Sequence, residues 1–284
     1  MPDDLGGRVY LVTGGNTGIG RATAAGLARR GARVYLACRS AGKGSVAAAA
    51  ITAATGNPCV GVLPLDLARL DSVRGCAAAF RELGQPLHGL INNAGLAGRR
   101  GRPTAVGFEL AFGVDHLGHF ALTMALLDCL TASAPARVVT VSSDAHYQAR
   151  GIDFDAVQRP GRSITGLPEY AVAKLCNVLF SQELARRLAG TGVTSYALHP
   201  GVVASDIWRR VPWPVRPLLT RRMLSTEDGA RTSLFCATDE RAAAASGRYY
   251  EDCREREPSP VATAGRAAEL WRRSEGWTAQ PASR

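Results

Sequence analysis

Tyr170 and Lys174 stand four residues apart in Tyr170-Ala171-Val172-Ala173-Lys174. On a helix, residues at i and i+4 share a face, so the phenol and the ammonium come within reach of each other. An ammonium beside a phenol stabilises the phenolate and lowers the tyrosine pKa from about 10 toward the working range. A tyrosine so tuned serves as a general acid or base. Composition adds weight to the lysine. Of 34 basic residues only Lys43 and Lys174 are lysine, which leaves 32 arginines. A position needing nothing but positive charge would be filled by arginine in such a chain. The compact ammonium and the planar, forked guanidinium do different work. Taken alone, Tyr-x-x-x-Lys also describes a solvated surface helix, and its weight comes from the rest of the chain.

A second set of residues suits phosphate. Arg8–Thr13 reads as a short apolar strand, Gly14-Gly15-Asn16-Thr17-Gly18-Ile19-Gly20 as a glycine turn, and the alanine-rich Arg21–Arg30 as a helix. Strand, glycine turn and helix form the context of a dinucleotide loop. Gly14 lets the chain turn, Gly18 lets the backbone approach a pyrophosphate, and Gly20 lets helix and strand pack closely. The helix N-terminus adds N–H groups and the positive end of a dipole. The next strand, Ala32–Cys38, runs into Arg39-Ser40, and no acidic residue lies between Asp4 and Asp66. An NAD site usually carries an acid near this point for the ribose 2′-OH. Arg39 and Arg21 instead suit a 2′-phosphate, so NADP(H) is favoured.

Composition bounds the rest. The chain has 284 residues, 46% of them hydrophobic, enough for one large α/β domain. Seven cysteines are scattered, odd in number and never spaced C-x-x-C. That excludes a disulfide framework and a zinc site, and points to reduced thiols facing the cytosol. No metal is expected. No run reaches the roughly 18 apolar residues of a membrane helix, and no signal peptide is expected before the first strand. The net charge is +10. The arginines are spread rather than bunched, which excludes a nucleic-acid stripe. The charge suits an anionic cofactor and peripheral contact with an anionic membrane.

The elements must deliver these groups to one place. Cys59–Leu63 reads as a third strand, followed by a helix from about Leu70 to Leu83. His88–Asn92 is a fourth strand, with a long helical stretch over about Thr104–Leu130, interrupted near Gly113. Arg137–Ser142 is a fifth strand, Pro168–Ala189 a long helix and Val193–Leu198 a sixth strand. Such alternation implies a single-domain Rossmann fold, a doubly wound parallel sheet with helices on both faces. The cofactor half covers about 6–145, the catalytic helix and a substrate cap about 146–258, and a C-terminal surface helix with a polar tail 259–284. Val202–Leu224, with Trp208, Trp213, three prolines and five arginines, reads as the cap.

Strands in such a sheet present functional groups at their carboxyl ends. Asn92-Asn93-Ala94-Gly95, Ser142-Ser143 and Pro200-Gly201-Val202-Val203 fall there, with Tyr170 and Lys174 on the helix between the last two. Together with Thr13-Gly14-x-x-x-Gly18-Ile19-Gly20, this set resembles the short-chain dehydrogenase/reductase family over almost the whole chain. It resembles most the retinol dehydrogenase branch, with its 12-like and 13-like members. The segments that carry this are Val34–Arg39, Asp115-His116-Leu117-Gly118-His119-Phe120, Ala134–Val139, Lys174–Phe180, Thr191–Thr194, His199–Val203 and Gly247–Cys253.

The resemblance implies roles. Tyr170 transfers a proton to or from the substrate oxygen, Lys174 holds the nicotinamide ribose, and Ser143 hydrogen-bonds the substrate oxygen, with Ser142 as its adjacent alternative. Asp66 accepts from the adenine amino group. Thr13, Asn92 and Val141 support the cofactor, and Leu67, Asn93, Ala94, Gly95, Pro200, Gly201 and Val203 contact it along with the glycine turn, Arg21 and Arg39. Two departures stand out. Asp115 occupies the place of the family's catalytic Asn, where a carboxylate stabilises Lys174 or disturbs a proton relay. The membrane-bound relatives carry an N-terminal hydrophobic anchor that is not expected here.

The resulting expectation is an NADP(H)-dependent oxidoreductase interconverting a carbonyl and an alcohol on a small apolar, retinol/retinal-like substrate. The alternatives are a broad-specificity carbonyl reductase for lipid aldehydes or steroids, and an NADPH-binding regulator or scaffold with little turnover. The expected location is cytoplasmic, with peripheral association with the endoplasmic reticulum as the alternative. A homodimer is compatible with the sequence, which leaves the oligomeric state open.

Overall fold

The computed structural model describes residues 4–96, 103–202, 224–243 and 245–279. Its strands are β1 (Val9–Thr13), β2 (Arg33–Cys38), β3 (Val60–Pro64), β4 (Gly89–Asn92), β5 (Ala136–Val141), β6 (Val193–His199), β7 (Tyr249–Glu251) and β8 (Arg254–Arg256). Among the described residues they form one sheet in the order β3-β2-β1-β4-β5-β6-β7-β8. Every pairing from β3 to β7 is parallel, and β8 turns back antiparallel on β7. The chain order reverses between β1 and β4, and the crevice at the carboxyl ends of those strands is where doubly wound sheets bind ligands.

Strand periodicity builds two cores. Along β1, Val9 and Leu11 enter one cluster while Tyr10 and Val12 enter the other. Along β2, Tyr35 and Ala37 divide from Val34 and Leu36 in the same way. Successive side chains point to opposite faces, so a strand buried on both sides reads as a continuous apolar run. Helices α1 (Gly18–Arg29) and α2 (Ala41–Thr55) cover one face together with α7 (Thr226–Thr238). Helices α3 (Leu70–Glu82), α4 (Gly118–Ala125), α6 (Leu167–Arg187) and α9 (Ala264–Ala279) cover the other.

Three elements differ from the sequence reading. α2 has no amphipathic stripe to announce it, being mostly alanine, glycine and threonine. Its signals are its ends: Ser40 caps it by accepting from the Lys43 N–H at 3.3 Å, and Gly56 stops it at φ 71°. The long helix expected over Thr104–Leu130 is instead a turn near Gly107, a π-helical segment at Phe112–Leu117, then α4 and the short α5 (Leu127–Ala132). The interruption expected near Gly113 is the π-helical segment itself; Gly113 lets it lie on Thr104, whose Cγ2 would be 2.3 Å from a Cβ.

The third difference is α9, expected as a surface helix. Its Ala267, Leu270, Trp271 and Ser274 are buried, spaced i, i+3, i+4 and i+7. Trp271 stacks on Phe180 of α6 (5.9 Å between centroids) and meets Phe120 of α4 edge-on at 5.0 Å. The charged and polar residues of this segment hid a core helix. The expected cap falls mostly outside the described residues. Its ends, Val202 and Leu224, are joined by a hydrogen bond from the Leu224 N–H to the Val202 carbonyl (2.9 Å).

Candidate active site

The end of β1 is tied to the end of β4 through one hydroxyl. Thr13 Oγ1 accepts from the Asn93 N–H (2.9 Å) and the Ala94 N–H (3.0 Å), and lies 2.8 Å from His119 Nε2 of α4. The Asn93 side chain donates to the Thr13 carbonyl at 2.8 Å. Asn92, one residue earlier, is fully buried and donates to Thr123 Oγ1 of α4 at 3.0 Å. Thr13 and Asn92 therefore brace the crevice from within.

The glycine turn fits a diphosphate. A Cβ on Gly20 would lie 2.5 Å from the Gly14 carbonyl oxygen and 2.4 Å from Asn93 Nδ2, so strand and helix meet here only because Gly20 has no side chain. Gly14 (φ 65°) and Gly18 (φ 55°) occupy the left-handed region. A Cβ on Gly18 would meet nothing within 4 Å, leaving open space beside the N-terminus of α1, whose first turn holds no acid. Backbone N–H groups and the helix dipole favour an anion in that space. Asn16, Thr17 and Ile19 line the same turn, and Arg21 is exposed on α1.

Arg39 is exposed just past the carboxyl end of β2. Asp66 follows β3, its Oδ1 accepting from the Ala68 N–H at 3.1 Å. The Leu67 carbonyl would be 2.5 Å from a Cβ on Gly118, so the loop after β3 presses directly on the start of α4. Pro200 and Gly201 (φ 83°) follow β6, and Val203 lies outside the described residues.

Lys174 and Asp115 form a buried ion pair. Lys174 Nζ is 3.1 Å from Asp115 Oδ2, with side-chain exposures of 4% and 0%. Asp115 Oδ1 accepts from the Leu96 N–H (2.8 Å), and Nζ donates to the Val141 carbonyl (3.1 Å). Burial pushes the Asp115 carboxyl up against the pull of Lys174 and Leu96. Burial pushes the Lys174 ammonium down, but Asp115 and Tyr170 outweigh it and hold its pKa above the ordinary value. Asp115 lies in the π-helical segment, an irregularity that often marks functional positions. Gly95 covers the pair, since a Cβ there would be 3.1 Å from Asp115 Oδ2 and 3.2 Å from Nζ.

Tyr170 is half-buried, with Nζ 5.3 Å from the centre of its ring. The sequence led us to expect a lowered phenol pKa. The structure reverses the sign. Burial pushes it above 10, Lys174 and Ser143 pull it down, and Asp115 and Asp144 push it further up. The ammonium's field is partly cancelled by Asp115, and the phenol rests in its protonated form.

The serines divide. Ser142 is buried and its hydroxyl donates to the Lys174 carbonyl at 2.7 Å, fastening β5 to α6. Ser143 begins the 3₁₀ turn Asp144–Gln148, where its Oγ accepts from the Ala145 N–H (3.2 Å) and donates to Asp144 Oδ1 (2.9 Å). Two histidines with no role in the sequence reading hold this turn. His146 Nδ1 lies 2.6 Å from the Ser143 carbonyl, and His199 Nδ1 accepts from the Asp144 N–H at 3.3 Å. The Ser143-x-x-His146 spacing, which brings a ring back over its own turn, was the available signal. A cleft of about 680 Å³ opens beside the turn, lined by Tyr147, Glu251, Glu255, Arg256 and Glu257. Ser143, Tyr170 and Lys174 do not line it, so it does not contain the reacting groups.

The short chain dehydrogenase family matches residues 8–155, from β1 past the Ser143 turn. Retinol dehydrogenase 12 of Homo sapiens is 47% identical over 273 residues, covering 94% of this chain and 85% of that protein. The chain belongs to the short-chain dehydrogenase family. Dehydrogenase/reductase SDR family member 13 of Homo sapiens is 47% identical over 281 residues, covering 95% of this chain and 73% of that protein. An uncharacterized protein from Mycobacterium paratuberculosis superposes with a TM-score of 0.77 at 34% identity, covering 97% of this chain and 94% of that one. The RhlG/NADP complex of Pseudomonas aeruginosa gives 0.70 at 28% identity, covering 87% and 96%. As a short-chain dehydrogenase, the protein is an oxidoreductase that uses a nicotinamide cofactor on small substrates. Among the described residues, no helix is long and apolar enough to cross a membrane.

Proposed function

We propose that this protein is an NADP(H)-dependent reductase of an apolar aldehyde or ketone, acting on retinal or a retinal-like substrate, with Tyr170 as the proton donor. The observation that carries the proposal is the buried Lys174–Asp115 pair with the half-buried Tyr170 at the open end of the sheet, beside the Ser143 turn. The nicotinamide, when bound, supplies the hydride. Gly14, Gly18, Gly20 and the start of α1 hold the diphosphate, and Arg39, with Arg21, receives the 2′-phosphate in the absence of an acid after β2.

In this reading Tyr170, protonated at rest, delivers its proton to the carbonyl oxygen as that oxygen gains charge. Lys174 stabilises the phenolate left behind. Ser143 turns its hydroxyl from Asp144 to the substrate oxygen and shares the developing charge, a role open to it because the Ser142 hydroxyl is committed to Lys174. Support for a retinoid substrate comes from the 47% identity to retinol dehydrogenase 12 across nearly the whole chain.

The test is NADPH turnover with all-trans-retinal, nonanal, 4-nitrobenzaldehyde and a 3-ketosteroid. Reduction of retinal supports the proposal in full. Turnover of the other carbonyls without retinal removes the retinoid part, and NADPH binding without any turnover removes the enzymatic part.

A further inference from the structure

We propose that His146 and His199 are positioning residues, a pair of neutral histidines that clamp the two polar atoms of the Ser143–Asp144 peptide and so aim the Ser143 hydroxyl. The inference rests on the reading of Ser143 as the donor to the substrate oxygen.

A backbone N–H can only donate, and this fixes the state of each ring. The Ser259 N–H donates to His146 Nε2 at 3.1 Å, so that nitrogen bears no proton and the ring's proton sits on Nδ1. Nδ1 then donates to the Ser143 carbonyl, 2.6 Å away. The Asp144 N–H donates to His199 Nδ1 at 3.3 Å, so the proton of that ring sits on Nε2. The peptide linking Ser143 to Asp144 is thus gripped at both its polar atoms, one by a ring of the following turn and one by a ring from the end of β6. Protonating either imidazole would set a donor against a donor.

The surroundings keep both rings neutral. His146 is fully buried, in ring contact with Tyr147 (3.9 Å) and with Tyr249 of β7 (4.7 Å). His199 is also buried. Burial lowers both pKa values; Asp144 opposes it at each ring, the Ser143 carbonyl at His146 and Glu251 of β7 at His199, while His199 adds to it at His146. His146 also fastens the turn to the segment after β8, where the Tyr147 hydroxyl donates to the Glu257 carbonyl at 2.5 Å. Neither ring is placed to touch a reacting atom by these contacts, so each acts through Ser143.

Asparagine and glutamine separate positioning from bulk. An asparagine amide places its polar atoms near those of Nδ1, whereas glutamine reaches the position of Nε2. Steady-state reduction is measured with the panel carbonyl reduced fastest, alongside NADPH affinity by fluorescence titration. His199→Asn should keep kcat within about threefold of the wild type, and His199→Gln should lose about tenfold or more, with NADPH affinity within about threefold in both. His146→Asn and His146→Gln should divide the same way. Equal rates for the Asn and Gln variants at both positions overturn the clamp, as does a loss that follows NADPH affinity. Ser143→Ala separates the two layers. If it keeps the full rate, the reading of Ser143 fails. If it is inactive while His199→Gln is fully active, the clamp fails and that reading stands.

Discussion

Asp115 stands where the sequence reading expects an asparagine, and the structure gives it a definite electrostatic task. Its carboxylate pairs with Lys174 and raises the Tyr170 pKa. Asp115→Asn leaves the ammonium's field on the phenol unopposed, so the Tyr170 pKa falls. Carbonyl reduction needs the protonated phenol, so the alkaline limb of its pH–rate profile should move to lower pH. At neutral pH kcat should change by less than about tenfold, roughly 1.4 kcal/mol in barrier. An alkaline limb that stays in place or rises would show that Asp115 does not govern Tyr170.

Tyr170→Phe keeps the ring and removes the proton, so turnover should vanish with NADPH affinity nearly unchanged; activity above a few per cent would remove Tyr170 from the role. Lys174→Arg should also fail, because a guanidinium does not fit the 3.1 Å contacts an ammonium makes with Asp115 and the Val141 carbonyl. Arg39→Asp should turn cofactor preference from NADPH toward NADH by about tenfold or more in kcat/KM. Equal use of the two cofactors by the wild type would refute the phosphate assignment at once.

At the scale of elements, α9 carries a role its composition conceals. Trp271 fills the space between Phe120 and Phe180 and lies under the Arg187 guanidinium, 4.5 Å from its ring centre. Trp271→Ala should therefore cost about 3–5 kcal/mol of unfolding free energy, read from urea titration. A loss under about 1 kcal/mol would return α9 to the surface. The same helix reaches the π-helical segment, where Ser274 Oγ lies 3.0 Å from His116 Nε2, one residue from Asp115. The C-terminal helix thus backs the wall that holds the ion pair.

Across the whole molecule, stability should depend on buried neutral histidines. Burial lowers the pKa of His116 to about 3 and of His119 to about 4, from an ordinary 6.5. As pH falls through 6.5 the unfolded chain takes up protons that the folded chain refuses until about 4. The stability contributed by these two residues is complete above pH 6.5 and lost progressively as pH falls, to about 4 for His119 and about 3 for His116. The slope approaches roughly 2.7 kcal/mol per pH unit, two protons at 1.36 each. Urea midpoints measured from pH 7 downward test this, and a flat profile between pH 6.5 and 4.5 would contradict it.

Much of this was legible in the sequence because it depends on local spacing. The glycine turn between strand and helix, the i,i+4 pair of Tyr170 and Lys174, and the alternation of strands and helices are short-range patterns, and the parallel sheet follows from them. α2 and α9 were obscured because their compositions, alanine-rich in one and charged and polar in the other, mask what they pack against. What only the tertiary structure decided lies between residues far apart in the chain. Thr13 meets Asn93 and His119, Asp115 meets Lys174, and His146 meets Ser259. The sign of the Tyr170 shift belongs to the same class. Sequence shows the ammonium four residues away, but burial and a carboxylate 55 residues upstream (170 − 115) act on the phenol only once the chain has folded.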